Sequence, residues 1–257
     1  MANEKDQVID QKEELVEVQE TAETTEVVTE QNPDESGEQP MDPVEGYVDD
    51  FPVSEEALGD LDDKYLREDP MVVGYKSLEE MEIVYDFVAS NFDATQESIL
   101  DVGCGRGDFL THIQTLYQTD VKYRGVDMNK VLIGVAKEMN PTAEFTATNL
   151  FKLDGNYASD WVINIGALSI MYEPAGADFT QMDALKNTVN KMLELADTGI
   201  VITLLSANAQ DVFDEQYLAY DPVEVLDWAL NEYGQLGGNV RLDHSIADSL
   251  FTLTIYK

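Results

Sequence analysis

The feature that most constrains this chain is an alternation of strand-like and helix-like apolar patterns, which starts near Leu78 and continues almost to Lys257. Short apolar runs alternate with segments whose apolar residues recur every three or four positions. This alternation favours right-handed crossovers and a mostly parallel sheet covered by helices on both faces. The predicted strands are 98–102, 122–126, 143–148, 161–165, 200–205, 240–244 and 250–256, and the predicted helices are 78–88, 108–118, 129–139, 182–196, 212–217 and 222–233.

The last two predicted strands, 240–244 and 250–256, are joined by too few residues for a crossover helix. They are therefore expected to pair as an antiparallel hairpin at the edge of the sheet. The predicted fold class is α/β, with a doubly wound, seven-stranded, mostly parallel sheet and an antiparallel final strand.

The N-terminal segment has a different composition. Residues 1–63 contain 22 acidic residues and 2 lysines, with almost no aromatic residues. Such a segment buries too little apolar surface to offset the entropy that ordering costs. We expect an acidic, largely disordered tail over 1–63 and one folded domain over 64–257. The tail is expected either to dock a protein partner or only to keep the chain soluble.

The net charge of the chain is −37 at pH 7. Such a surface repels phosphate backbones, and no basic patch is visible, so a nucleic-acid substrate is disfavoured. The single cysteine, Cys104, excludes an intrachain disulfide, and two histidines, His112 and His244, are too few for a metal site. No apolar run approaches the roughly 18 residues that span a membrane. A cytoplasmic protein is expected, and a virus or a host with high internal salt would tolerate this charge.

The segment from Ile99 to Gly107 reads ILDVGCGRG, an apolar strand that runs into a glycine-rich turn and then a helix. In a parallel sheet this turn lies at the carboxyl edge, where ligands bind. Gly103 permits a tight turn, and Gly105 lets the backbone approach a ligand closely. The N-terminus of the next helix presents N–H groups to a carboxylate or phosphate. The alternative is that the glycines only turn a corner.

About twenty residues later, Asp127 ends the second predicted strand, followed by Met128 and Asn129. A carboxylate in this position can accept both hydroxyls of a ribose. The alternative is that Asp127 caps the next helix, which Asn129 could do as well. Met128 is expected either beside an adenine ring or in the core.

An acid before the first glycine and the spacing G-x-G-x-G make the segment Ile99 to Gly107 resemble the first motif of class I S-adenosylmethionine-dependent methyltransferases. Asp127 matches the acid that these proteins carry after strand two, and the order of elements from Leu78 to Lys257 matches their seven-stranded sheet. The resemblance implies a Rossmann-like methyltransferase fold with S-adenosylmethionine as cofactor. The cofactor-binding residues that it implies are Asp101, Gly103, Cys104, Gly105, Asp127, Met128, Asn149, Leu150 and Gly166.

By this resemblance, Gly103 and Gly105 line the methionine part of the cofactor, and Asp127 binds its ribose. Asn149 and Leu150 would lie at the adenine edge after strand three. Many relatives carry Asp where this chain has Asn149, and a neutral amide can still accept a hydrogen bond from the adenine amino group.

The acceptor side is harder to identify. The segment 164–174 follows strand four, where relatives place groups next to the transferred methyl, so Ser169, Tyr172 and Glu173 are candidate orienting or basic residues. The alternative is that they shape a loop and cap a helix. The motifs NPPY and DPPY of nucleic-acid amino-methyltransferases are absent, and Cys104 lies in the cofactor turn, so both DNA-methylating chemistries are disfavoured.

The expected activity is methyl transfer to an oxygen or nitrogen atom of a small molecule or a protein side chain. A sulfonium methyl is already electrophilic, so positioning and exclusion of water suffice without a fixed catalytic residue. A segment ahead of the first motif, 71–76, could fold over the cofactor as a lid. Two alternatives stay open: a catalytically weak binding or assembly module that docks partners through the acidic tail, and a nicotinamide-dependent oxidoreductase, which would need a third glycine one position later.

Overall fold

The computed structural model describes residues 55–169, 180–209, 217–234 and 239–257. Through these ranges runs a mixed sheet with the strand order β3-β2-β1-β4-β5-β8-β7, and a two-residue strand, β6, pairs with β5 outside this path. The strands are β1 (Ile99–Val102), β2 (Tyr123–Asp127), β3 (Glu144–Ala147), β4 (Ser159–Ile165), β5 (Ala196–Ser206), β6 (Ala219–Tyr220), β7 (Asn239–Ala247) and β8 (Leu250–Tyr256).

The topology confirms the predicted fold class. Strands β1 to β5 are parallel, whereas β8 is antiparallel to both β5 and β7. The last two strands therefore form the expected hairpin at the edge. The eighth strand, β6, was not predicted, because two residues are too few to produce a periodic pattern.

Helices cover both faces of the sheet. Side chains alternate along β1, so Ile99 packs with α3, α4 and α5, while Leu100 packs on the other face with α6 and α7. Within the described ranges, no helix is both long and apolar enough to cross a membrane. The helices are α1 (Glu55–Gly59), α2 (Asp63–Glu68), α3 (Leu78–Ala89), α4 (Asp108–Tyr117), α5 (Lys130–Met139), α6 (Gln181–Leu195) and α7 (Pro222–Glu232).

Strand β5 begins earlier than predicted. The prediction ran a helix to residue 196 and started the strand at 200, whereas α6 ends at Leu195 and β5 starts at Ala196. The first residues of β5 include the exposed Asp197, so the continuous apolar run that marks a buried strand starts only later. The helix predicted at 212–217 falls mostly outside the described residues.

The two short N-terminal helices pack against α5. Leu58 of α1 and Leu66 of α2 form a buried cluster with Leu132 and Val135 of α5. Packed structure is therefore present before residue 64. The division into a tail at 1–63 and a domain at 64–257 stays a prediction, since residues 1–54 lie outside the described ranges.

Arg106 joins these N-terminal helices to the glycine turn. Its side chain is only 1% exposed. Its Nε donates to both carboxylate oxygens of Asp108 at 3.0 and 2.8 Å, and its Nη1 donates to the carbonyl oxygen of Leu66 at 2.8 Å. A buried guanidinium needs such acceptors in place of water. The turn and α2 are thus held to each other by one side chain.

Replacing Arg106 by Met should destabilise the fold, because the carboxylate of Asp108 and the carbonyl of Leu66 would lose their buried donor. Removing one partner of a buried pair typically costs about 3 kcal/mol of unfolding free energy, measurable by urea denaturation. The control is Arg67→Met, which breaks the solvent-exposed pairs with Asp63 and Glu138. Arg67→Met should lower the free energy of unfolding much less than Arg106→Met does. Equal losses in the two variants would contradict this role of Arg106.

Candidate functional site

The glycine turn leaves β1 at the carboxyl edge of the parallel strands. Gly103 and Gly105 have φ values of +78° and +55°, a region that residues with a side chain rarely adopt. The backbone N–H groups of Gly103 and Cys104 donate to the carbonyl oxygen of Val126 at 2.8 and 3.1 Å. The turn is therefore held against the end of β2.

Both glycines lie close to other parts of the protein. A Cβ on Gly103 would lie 2.3 Å from the Cβ of Ala167, and a Cβ on Gly105 would lie 3.2 Å from Cγ1 of Val73. The close approach at Gly103 is thus to the segment that follows β4. Val73 belongs to the segment 71–76, whose closure over the cofactor as a lid stays a prediction.

The carboxylate of Asp127 connects the ends of β1 and β2. Its Oδ2 accepts a hydrogen bond from the N–H of Gly105 at 2.9 Å, and its Oδ1 accepts one from the N–H of Asn129 at 2.8 Å. Asp127 is 5% exposed, and burial raises its pKa against the opposing effect of these N–H donors. The N–H of Met128 also stabilises the ionised form, so three N–H groups share the roughly four lone-pair sites of this carboxylate. The cap of α5 is instead Asn129, whose Oδ1 accepts from the N–H groups of Val131 and Leu132.

Asp101, near the end of β1, is a second buried carboxylate at 2% exposure. Its Oδ2 accepts a hydrogen bond from the phenol of Tyr123 at 2.6 Å, whereas its Oδ1 has no hydrogen-bond partner among the described residues. Burial raises the pKa of Asp101 to about 7; the Tyr123 hydrogen bond opposes this shift, and the charge of Asp127 adds to it. A buried carboxylate oxygen without a partner is costly, so this position suits a cation or an N–H donor.

Met128 and Gly166 are two further predicted cofactor residues. Met128 is half-buried and belongs to none of the three apolar clusters formed by the described residues. Gly166, which follows β4, has a φ of +79°, and a Cβ built there would meet no atom of the described residues within 4 Å.

The remaining predicted cofactor residues have structural contacts of their own. The Oδ1 of Asn149 accepts from the N–H of Phe151 at 2.9 Å, and Leu150 is a core residue. The thiol of Cys104 is buried 3.7 Å from the carbonyl oxygen of Gly105, and burial raises its pKa far above the usual range. For Leu150 and Cys104, only the backbone is available to a ligand at this edge.

Of the three acceptor-side candidates, Ser169 lies among the described residues. The hydroxyl oxygen of Ser169 accepts from the N–H of Leu205 at 2.9 Å, and its carbonyl oxygen accepts from the N–H of Leu218 at 2.8 Å. These bonds favour the loop-shaping alternative for Ser169. Tyr172 and Glu173 lie outside the described residues.

Three polar residues of this site were not predicted from the sequence. Arg106 holds the glycine turn to α2, and Tyr123 donates a hydrogen bond to Asp101. Asn164 donates from Nδ2 to the carbonyl oxygen of Val102 at 2.9 Å. The Oδ1 of Asn164 is buried, and no described residue donates a hydrogen bond to it. The available signal was a polar side chain inside an apolar strand, which Asn164 displays in β4.

The electrostatics of the turn favour a cationic ligand. Of the carboxylates around it, Asp108 is neutralised by Arg106, whereas Asp101 and Asp127 pair with no cationic side chain among the described residues. Two buried acids beside N–H groups can hold a ligand that carries hydroxyls and a positive charge.

A family model described as a methyltransferase domain matches residues 93–228, which are 136 of the 257 residues. No curated protein matches the chain by sequence. Among solved structures, the chain is similar to the plantazolicin methyltransferase BpumL in complex with SAH, at 15% identity and a TM-score of 0.55, over 79% of this chain and 95% of that one.

Two further structures show the same fold. Magnesium protoporphyrin IX methyltransferase (ChlM) from Synechocystis PCC 6803, with bound SAM, has 15% identity and a TM-score of 0.50, over 77% of this chain and 98% of that one. The small RNA methyltransferase HEN1 has 11% identity and a TM-score of 0.55, over 71% of this chain and 26% of that one. Since the family model covers more than half of the chain, this protein belongs to the methyltransferase domain family and is an S-adenosylmethionine-dependent methyltransferase.

Proposed function

We propose that this methyltransferase acts on an oxygen or nitrogen atom of a small molecule or protein side chain, with its cofactor held by Asp127, Asp101 and the glycine turn. The observation that supports this cofactor site is the 2.9 Å hydrogen bond between the N–H of Gly105 and Asp127, which brings the ends of β1 and β2 together. Bound S-adenosylmethionine (SAM) supplies an electrophilic methyl group, which an acceptor lone pair takes while the carbon–sulfur electron pair stays on sulfur.

The unsatisfied groups of the site fit the chemical groups of SAM. The lone-pair capacity that remains on Asp127 suits a ribose hydroxyl, and the Oδ1 of Asp101, which has no partner among the described residues, suits the ammonium of the methionine part. SAM carries two positive charges and one negative charge. A nicotinamide dinucleotide would instead bring a pyrophosphate beside two buried acids, which disfavours the oxidoreductase alternative.

The adenine is proposed to lie beside Met128 and Asn149. Met128 offers a half-buried apolar surface next to the ribose acid. The Oδ1 of Asn149 caps a short helix but keeps a second lone pair for the adenine amino group. Gly103, Cys104, Gly105, Leu150 and Gly166 would contribute backbone groups.

Charge supports an acceptor other than a nucleic acid. HEN1 acts on small RNA by its name, but a likeness at 11% identity concerns the fold alone. The net charge of −37 repels a phosphate backbone, whereas it does not repel a neutral acceptor and attracts a cationic one.

Asp127→Asn should weaken SAM binding about tenfold or more, because a hydrogen bond to a charged acceptor contributes roughly 1.5–3 kcal/mol. Isothermal titration calorimetry gives the affinity. A matched control is Asp160→Asn, since Asp160 also accepts a backbone N–H, from Ser98 at 2.7 Å, but at the amino end of the strands. Unchanged affinity in Asp127→Asn, or an equal loss in Asp160→Asn, would count against the ribose role.

Asp101→Asn should make the cofactor-free protein more stable at about pH 8. The pKa of Asp101 is about 7 in the fold and 3.8 when unperturbed, so its carboxyl favours folding below about pH 4 and loses that contribution as the pH rises through 7. The advantage of the variant in unfolding free energy should grow over this range to at most about 4 kcal/mol. Urea denaturation of both proteins from about pH 4 to 8 measures it; a constant difference would contradict the shift.

Cofactor affinity should respond to the same substitution in the opposite direction. In the wild type, SAM binding should tighten between about pH 5.5 and 7.5, because its ammonium pairs with the ionised Asp101. Asp101→Asn should bind more weakly and with a flatter pH profile. If the Asp101→Asn variant is more stable than the wild type but binds SAM with the same affinity, Asp101 does not contact the cofactor.

Tritium-labelled SAM tests the acceptor class. In a cell extract treated to remove endogenous methyltransferase activity, label is expected in the small-molecule or protein fraction, and not in RNA or DNA. The Asp127→Asn variant serves as the blank, since its weak donor binding should reduce the label. If RNA is labelled by the wild type but not by the Asp127→Asn variant, the proposed acceptor class is overturned and the cofactor site stands.

A further inference from the structure

A cavity of about 230 Å³ lies between α3 and the β7–β8 hairpin. The first turns of α3 supply Glu79, Glu80 and Ile83, and the hairpin supplies Ile246 and Leu250. Leu250 pairs with Leu205 near the end of β5, so the cavity lies at the carboxyl edge of the sheet. This is the edge that also carries the glycine turn.

Tyr75 connects the cavity to the glycine turn. Its ring packs edge-on against Tyr85 of α3 at 5.8 Å between centroids. Burial raises the pKa of Tyr75 far above its usual range, and the negative charges of Asp101 and Glu80 add to the shift. Val73, which lies against Gly105, and Tyr75 pack against the same buried apolar cluster as Leu250, which lines the cavity. This cluster therefore extends from the glycine turn to the cavity.

The walls of the cavity are mostly apolar. Five of the eight lining residues are apolar, and none of the eight is basic. Among the described residues, seven large hydrophobic side chains are exposed, and three of them, Met71, Leu78 and Ile83, lie between positions 71 and 83. Ile83 lines the cavity and is 49% exposed. Ile83 and Leu250 thus give the cavity an apolar wall that a ligand can contact.

The charge beside these apolar walls is negative. Glu80 is held in place by the N–H of Lys76, which donates to its Oε2 at 2.7 Å, and Glu79 is exposed at the rim. A carboxylate that accepts one N–H retains capacity for a cation. An anionic ligand would meet two carboxylates without a basic lining residue, whereas an ammonium group would be attracted.

We infer that this cavity binds the methyl acceptor and that the acceptor is a small amine with an apolar body, an inference that rests on the proposed function. The volume of about 230 Å³ is below the roughly 300–1,000 Å³ of pockets for drug-sized ligands, so the apolar body is about the size of one ring. The apolar body lies against Ile83 and Leu250, and the nitrogen lies near Glu80. For transfer, the ammonium releases a proton to solvent, its lone pair bonds to the methyl carbon, and the carbon–sulfur pair remains on sulfur.

Benzylamine and phenylacetate are matched probes, because they share a ring and a methylene and differ in the sign of charge. The protein is first saturated with S-adenosylhomocysteine (SAH). Calorimetry or ligand-observed NMR should then show that benzylamine binds at least about tenfold more tightly than phenylacetate. Glu80→Gln, which keeps an oxygen for the N–H of Lys76, should reduce this preference. Ile83→Ser should weaken benzylamine about fivefold, and Leu116→Ser, an exposed apolar residue of α4 outside the cavity, should leave it unchanged.

Titration of SAM into the same proteins separates this inference from the cofactor assignment. If SAM binds but phenylacetate binds as well as benzylamine, or Ile83→Ser has no effect, the acceptor cavity is refuted and the cofactor site stands. If SAM does not bind, the proposed cofactor site fails, while the benzylamine preference still reports on the cavity. Binding of a lysine-containing peptide without binding of benzylamine would overturn the small-molecule assignment.

Discussion

The carboxylate of Asp127 is the interaction on which the site depends. It takes the N–H of Gly105 on one oxygen and the N–H of Asn129 on the other, so a single side chain orders the turn after β1 and the start of α5. Parallel strands place their carboxyl ends side by side but leave the loops there free to diverge. Asp127 removes this freedom because it joins the two loops by hydrogen bonds.

This arrangement has an electrostatic cost, which the ligand can offset. Asp101 and Asp127 are both almost fully buried, and burial raises the pKa of each. Backbone N–H groups stabilise the ionised form of Asp127, whereas one oxygen of Asp101 has no partner. Functional sites commonly contain groups that are unfavourable without a ligand. An acid that destabilises the empty protein and pairs with a cationic cofactor is consistent with that pattern.

The sheet was largely predictable because its central strands are buried on both faces. Residues of β4 such as Val162 and Ile163 are fully buried, and this produces the continuous apolar runs by which strands are recognised. The glycine turn was equally visible, since positive φ at Gly103 and Gly105 restricts the residue type. By contrast, α1 and α2 are five and six residues long, too short for a helical period, and they are held by packing on α5. Contacts between distant segments, such as Arg106 with Leu66, leave no local pattern.

The donor half of the site, which binds the cofactor, is easier to identify from sequence than the acceptor half. The donor half serves one ligand, so it needs a glycine turn and an acid at defined positions, and the structure joins the two by a hydrogen bond. The acceptor half needs only shape, charge and the exclusion of water, which many residue types supply. Ser169 illustrates the difficulty: a hydroxyl after β4 suggests chemistry, yet its oxygen holds the backbone N–H of Leu205. The cavity beside α3 was invisible for the opposite reason, because Ile83 and Leu250 belong to ordinary helix and strand patterns and become one surface only when the hairpin folds back onto α3.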